Sequence, residues 1–153
     1  MTLLLPLQFA YRPDQDLFTV RWLTTYTGST ERAEYEAVLQ APEAQGTPHW
    51  LFDVRRRPAT DEGAARWVTT DWLPRAAALL RPSRLRLAFL VSSTRAENLR
   101  VDPGLRAVMD AVYAPGHAFD LRTFTDEGAA VAWLLGQLDW PASHHSQSWV
   151  GSR

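Results

Sequence analysis

The sequence predicts an α/β domain built on a mixed sheet, and three observations carry that reading. Two apolar, β-prone runs open the chain with turn residues between them. Strand-like and helix-like segments then alternate to the end. One short run, His49–Val54, is apolar on both faces, as a central strand covered by helices must be. The order is ββαβαβαβα, and a hairpin followed by strand–helix alternation implies a mixed sheet with helices packed on it.

Leu3–Tyr11 and Leu17–Leu23 are the hairpin strands, and Arg12-Pro-Asp-Gln-Asp16 supplies the turn chemistry between them. Ser29 or Thr30 is placed to cap a short helix in which Tyr35, Val38 and Leu39 form the apolar stripe. That helix ends near Ala41-Pro42. Arg55-Arg56-Arg57-Pro58 closes the central strand. Thr60 then caps a long helix whose stripe runs through Ala64, Trp67, Val68, Trp72, Ala76, Leu79 and Leu80, with a kink or break expected at Pro74. Arg84–Val91 is a strand with Leu85, Leu87, Phe89 and Val91 on one face. Asp102-Pro103 starts a helix carrying Leu105, Val108, Met109 and Val112 inward. Ala118–Phe124 is the last strand, and Val131, Leu134, Leu135 and Leu138 are the stripe of the last helix. The expected division is a domain over 1–138 and a loose C-terminal tail over 139–153, where no apolar period survives.

A chain of 153 residues suits one domain and can bury a core without disulfide or metal staples. It contains no cysteine, which removes thiolate chemistry and cysteine-ligated metals. The first residues resemble a strand more than a signal peptide, and no stretch reaches the 18 apolar residues of a membrane span. The expected location is cytoplasmic. A net charge of −1 gives no field to attract nucleic acid, and none is expected as a partner. All 16 basic residues are arginine, scattered along the whole chain, a pattern better explained by codon bias than by anion binding.

The signatures of dinucleotide binding, nucleotide hydrolysis and serine-hydrolase chemistry are missing, so no cofactor is expected. His144-His145 has no ligand framework around it. Thr60-Asp-Glu-Gly-Ala-Ala65 recurs as Thr125-Asp-Glu-Gly-Ala-Ala130, and helix capping accounts for both copies better than duplication. Catalysis would require Asp53, Asp71 or His49 to meet other polar groups in a cleft. The leading site is the Arg55–Arg57 run, because it leaves the C-terminal end of a buried strand, where ligands of open α/β sheets sit. An anion held by Arg55 or Arg57, Thr60 and the amides near Gly63 is one reading. Pairing of these arginines with Asp53, Asp61 and Glu62, or exposure to water, is the other and the favoured one. Asp71 is set to pair with Arg75 one turn later.

The element order resembles the STAS domain, the fold of anti-sigma-factor antagonists and of sulfate-transporter cytoplasmic tails. Trp50-Leu-Phe-Asp-Val-Arg55, Trp67, Asp71-Trp-Leu-Pro-Arg75 and Phe124-Thr-Asp-Glu-Gly-Ala-Ala-Val-Ala-Trp-Leu134 are similar to small uncharacterised STAS-like proteins of Bacteroidetes. The resemblance covers most of residues 1–138. It implies a non-enzymatic regulatory or signalling module with a protein partner or a homodimeric state. In the antagonists a serine at the helix start after this strand is phosphorylated. Here Thr60 is the only hydroxyl in that place, and Asp61 and Glu62 would repel a phosphate. A related lipid-transfer fold implies the alternative, a binder of a small anionic or apolar ligand using Trp67, Trp72 and the Arg55–Arg57 edge. The residues marked for a ligand or partner are thus Arg55, Arg57, Thr60, Trp67, Trp72 and Arg75.

Overall fold

The computed structural model describes residues 6–24, 31–57 and 61–137. The expected caps Ser29 and Thr30, the candidate Thr60, Leu138, His144-His145 and the C-terminal tail lie outside the described residues.

Five strands form one sheet in the order β1-β2-β3-β4-β5: Leu7–Arg12, Leu17–Trp22, His49–Asp53, Leu85–Leu90 and Phe119–Phe124. The β1–β2 pair is antiparallel and every later pair is parallel, which gives the predicted mixed α/β sheet. The hairpin turn closes with Gln15 N–H donating to the Arg12 carbonyl at 3.0 Å, and Asp16 takes φ of 55°, a region that Asp tolerates better than most residues. Register places Val20 beside Phe52 and Phe52 beside Phe89, so large side chains line up across the sheet on one face.

That face carries the larger core. Phe18, Val20, Trp22, Trp50, Phe52, Leu87, Phe89 and Leu121 meet Tyr35 and Val38 of α1 (Glu31–Gln40), the helical stretch around Trp72, and Val112 of α5 (Pro103–Tyr113). Predicted alternation in the fourth strand holds, since Leu85, Leu87, Phe89 and Val91 all join this core. The opposite face packs Leu17, Leu51, Ala88, Leu90 and Phe124 against α6 (Glu127–Leu134).

The long helix expected after the arginines is continuous but not uniform. It runs as α2 (Glu62–Trp67), a π-helical turn over Val68–Trp72, and α3 (Leu73–Leu79). Pro74 has no N–H to give to the carbonyl four residues back, and the wide turn just before it relieves the crowding without ending the helix. The buried stripe is Val68, Trp72, Leu73, Ala76, Ala77 and Leu80, whereas Leu79 is exposed. The cap is Asp61, whose Oδ1 accepts from Ala64 N at 2.8 Å, and not the expected Thr60. Asp126 caps α6 in the same way, its Oδ2 accepting from Ala129 N at 2.8 Å. The repeated Thr-Asp-Glu-Gly-Ala-Ala segment therefore does one local job twice.

Two further expectations need correction. A further helix, α4 (Ser93–Val101), precedes α5 and has no counterpart in the predicted order. In α6 the buried residues are Ala130, Trp133 and Leu134, with Val131 at the margin, so the expected stripe is rotated. An apolar run on all sides, Ala-Ala-Val-Ala-Trp-Leu-Leu, carries little directional signal.

Candidate functional site

The Arg55–Arg57 run leaves the C-terminal end of β3 as predicted, but its three side chains go to different places. Arg55 turns to the α6 face. Its Nε donates to Asp53 Oδ1 at 3.0 Å and its Nη2 to Asp53 Oδ2 at 2.9 Å. Arg21 of β2 reaches the same Asp53 Oδ2 at 2.6 Å and clasps Glu127 of α6 with contacts of 3.2 and 3.0 Å. Two arginines and two carboxylates thus close into one ring. Burial acts to raise Asp53, but hydrogen bonds from Arg55 and Arg21 outweigh it and hold the carboxyl below its ordinary value. The bond to Glu127 raises Arg21, and the bond to Asp53 raises Arg55. Arg56 is exposed and donates to the Leu23 carbonyl at 2.7 Å.

Arg57 goes the other way, into the large core face, where it is only 3% exposed. Its Nη2 meets Glu34 Oε1 at 3.1 Å and its Nε donates to the Thr24 carbonyl at 2.9 Å. Glu34 is fully buried and also accepts from Trp22 Nε1 at 2.9 Å. The expected pairing with Asp53 is therefore right for Arg55 alone. Asp61 caps α2 and Glu62 pairs with Arg66 within α2, so neither takes an arginine of the run. Arg55 and Arg57 point to opposite sheet faces, and each cation that the anion reading could use is already paired with a carboxylate, Asp53 and Glu34.

The remaining marked residues also sit apart. Trp72 is wholly inside the core, with Nε1 donating to the Tyr35 carbonyl at 2.9 Å. It offers no surface to a ligand, and its truncation would cost on the order of 3–5 kcal/mol of folding energy. Trp67 is half-buried, edge-on to Tyr35 and capped by the Arg32 guanidinium 4.9 Å from its ring centre. Arg75 is exposed and bridges Asp71, as read from the sequence, and also Glu36 of α1. Asp53, Asp71 and His49 do not converge. His49 and Asp53 begin and end β3, about 13 Å apart at strand rise, and Asp71 lies on the helix surface.

Sequence reasoning missed the pocket that the fold builds next to Arg57. It lies over the C-terminal halves of β4 and β5, is open on one side, holds about 50 Å³, and is walled by Tyr35, Val68, Phe89, Val91, Leu99 and Met109. At Gly104 a Cβ would fall 1.9 Å from Glu62 Oε1, so a larger residue there would make the Glu62 side chain move aside. Two charged side chains line the pocket, Glu31 and Arg95. Arg95 belongs to α4, is 8% exposed, and donates from Nη1 to the Arg57 carbonyl at 3.3 Å. Its Nε is buried without an acceptor. Burial lowers the Arg95 pKa, and the nearby Tyr35 and Glu31 act the other way. Burial likewise raises the Glu31 carboxyl, against the pull of Arg95 and Arg57. Glu31 makes no hydrogen bond or ion pair among the described residues. A second hollow of about 220 Å³ adjoins across Leu99, Met109 and Thr123.

No group of three or more histidines, aspartates or glutamates placed to hold a metal occurs among the described residues, and none of the described helices is long and apolar enough to cross a membrane. No protein-family model, curated protein or solved structure matches the chain.

Proposed function

We propose that this chain is a non-enzymatic regulatory module of STAS-like type that acts by binding, and that a small ligand occupies the Arg95 pocket. One observation carries the reading. The buried Arg95 guanidinium lines an apolar pocket beside Glu31, and no carboxylate among the described residues forms an ion pair with it. A buried cation without a counter-charge is costly, and an anionic ligand group beside it would lower that cost. The pocket also stands at the carboxyl ends of parallel strands, the usual ligand edge of such sheets. On the other face Asp53 and Glu127 are both clasped by arginines, which suits them to holding the fold more than to moving protons.

Native mass spectrometry of freshly purified protein tests this reading. The expected result is a small adduct that disappears in Leu99→Trp, a change that fills the pocket from the wall it shares with the second hollow. An adduct that survives this substitution would overturn the assignment, as would a wild-type protein that neither carries an adduct nor gains melting temperature with any metabolite fraction.

A second reading, docking of a protein partner or a second copy, is favoured by β1. Its outer edge has no strand beside it among the described residues, and Gln8, Ala10 and Arg12 are exposed along it. Unpaired strand edges are templates for another chain. Sedimentation velocity would then show concentration-dependent association that Ala10→Lys abolishes, and a strictly monomeric wild type would remove self-association.

A further inference from the structure

We infer that the Arg95 pocket takes a zwitterion, an α-amino acid with a short aliphatic side chain. This inference rests on the ligand-binding reading above and narrows it to a chemical class. The pocket presents one cation and one anion to the same space, Arg95 and Glu31, and neither makes an ion pair among the described residues. The adjacent Arg57–Glu34 pair is already complete. Buried charges need partners of opposite sign.

A carboxylate alone would satisfy Arg95 and set a second negative charge against Glu31. An amine alone would satisfy Glu31 and crowd Arg95. A head that carries both charges on neighbouring atoms answers both walls and leaves the pocket neutral. Arginine suits the carboxylate end because its guanidinium can offer parallel N–H groups. Thr69 and Thr123 line the same wall but are committed, Thr69 Oγ1 to the Ala65 carbonyl at 2.9 Å and Thr123 Oγ1 to the Tyr113 hydroxyl at 2.6 Å.

Size limits the remainder of the ligand. An apolar cavity of roughly 150 Å³ takes up benzene. The pocket's 50 Å³ is too small for such a ring to sit inside it, but it is open on one side, so it admits a charged head and leaves the remainder of the ligand at its mouth. The side chain would lie against Leu99 and Met109, toward the second hollow. Leu99 and Met109 give an aliphatic group apolar contact, while Arg100, Arg106 and Asp110 line the rest of that hollow, so the group must be short.

Isothermal titration calorimetry on the full chain at neutral pH separates the classes with matched probes: L-leucine, 4-methylpentanoate and 3-methylbutylamine. L-Leucine is expected to bind, with each single-charge analogue at least tenfold weaker. Glu31→Gln should weaken L-leucine about tenfold and leave 4-methylpentanoate no weaker. Glu31 makes no hydrogen bond or ion pair among the described residues, so this variant is expected to remain folded, checked by its circular dichroism. Leu99→Trp should abolish L-leucine binding. If either analogue matches or exceeds L-leucine, the zwitterion class falls while the pocket reading stands. If L-leucine binds equally to Glu31→Gln or to Leu99→Trp, the inference falls as well. If none of the three probes gives heat with the wild type, the inference is wrong, and the adduct measurement above decides the broader reading separately.

Discussion

Two charged clusters flank the carboxyl end of β3, one on each face of the sheet, and they solve the same electrostatic problem differently. On the α6 face, Arg21, Asp53, Arg55 and Glu127 form a ring of two cations and two anions in which every member touches its opposite, and solvent reaches most of it. On the other face, Arg57 and Glu34 are sealed in the core, and Arg95 and Glu31 stand beside them without closing a ring. The outer cluster is complete by itself. The inner one is a satisfied pair plus two charges facing a cavity. Balance suits the outer cluster to tying β2, β3 and α6 together, and imbalance suits the inner one to receiving something.

The largest expected effect comes from breaking the sealed pair. Glu34→Gln keeps the shape and removes the charge, leaving Arg57 buried without a counter-ion. Chemical denaturation should show a loss of about 3–5 kcal/mol. Replacing both partners by apolar groups, as Glu34→Leu with Arg57→Met, should restore much of that loss, because two apolar groups leave no orphaned charge. A Glu34→Gln variant as stable as the wild type would show that Arg57 is not sealed.

Asp53→Asn is the matching change in the outer ring and should cost less, about 1–2 kcal/mol, since Arg21 and Arg55 keep Glu127 and water as partners. The sign with pH follows from the depressed Asp53 pKa. Its contribution is present above the ordinary carboxylate value and is lost as pH falls through the lower folded value. The wild type should therefore lose stability on acidification in a range where Asp53→Asn does not. Equal acid profiles for the two proteins would remove Asp53 from the account.

The outer ring was largely legible in the sequence and the inner cluster was not, for physical reasons. Asp53 and Arg55 are two residues apart at a strand end, so their pairing is local and could be anticipated. Glu34 and Arg57 are 23 residues apart and meet only because α1 packs over β3. Glu34 reads from the sequence as one of several acids in a first helical turn, a solvated position by default. Arg95 was hidden by its helix: Ser93–Val101 has no apolar stripe, and the arginine is its single buried residue. The usable signal was Ser92, a hydroxyl directly after a strand, which caps α4 by accepting from Arg95 N at 3.2 Å. The elements with strong alternation or strong caps, β4 and α5, were read almost to the residue. The all-apolar α6 and the π-turn before Pro74 were not, because the first has no polar face and the second depends on how the chain accommodates a missing donor.

Salt gives a smaller effect that separates the clusters. Glu127 is about two-fifths exposed and its bonds to Arg21 and Arg55 are reachable by ions. Glu127→Gln should cost no more than about 1 kcal/mol at low ionic strength, and less at 1 M salt, where the screening length falls to about 3 Å. The loss in Glu34→Gln should hardly change over the same range. A Glu127→Gln effect that is independent of salt would mean that the outer ring is as sealed as the inner pair.

The smallest effect distinguishes the clusters by the direction of their pH response. Glu31 is raised by burial, the reverse of Asp53, and the groups around it are Arg95, Arg57, Asp61 and Glu34. A raised carboxyl favours the folded state while it is protonated. That contribution is complete below the unfolded value and disappears as pH rises through the higher folded value. Ionising Glu31 therefore strains the empty protein just above the usual carboxylate range, where Asp53 is already fully charged. Glu31→Gln removes that strain, so its stability should exceed a parallel wild-type curve by a margin that opens with rising pH and then stays constant. The pocket's occupant should close the same margin in the wild type, because an ammonium beside Glu31 stabilises the ionised form. A wild type whose stability is flat across that range without ligand would mean that Arg95 already neutralises Glu31, and the inner cluster would then be as complete as the outer one.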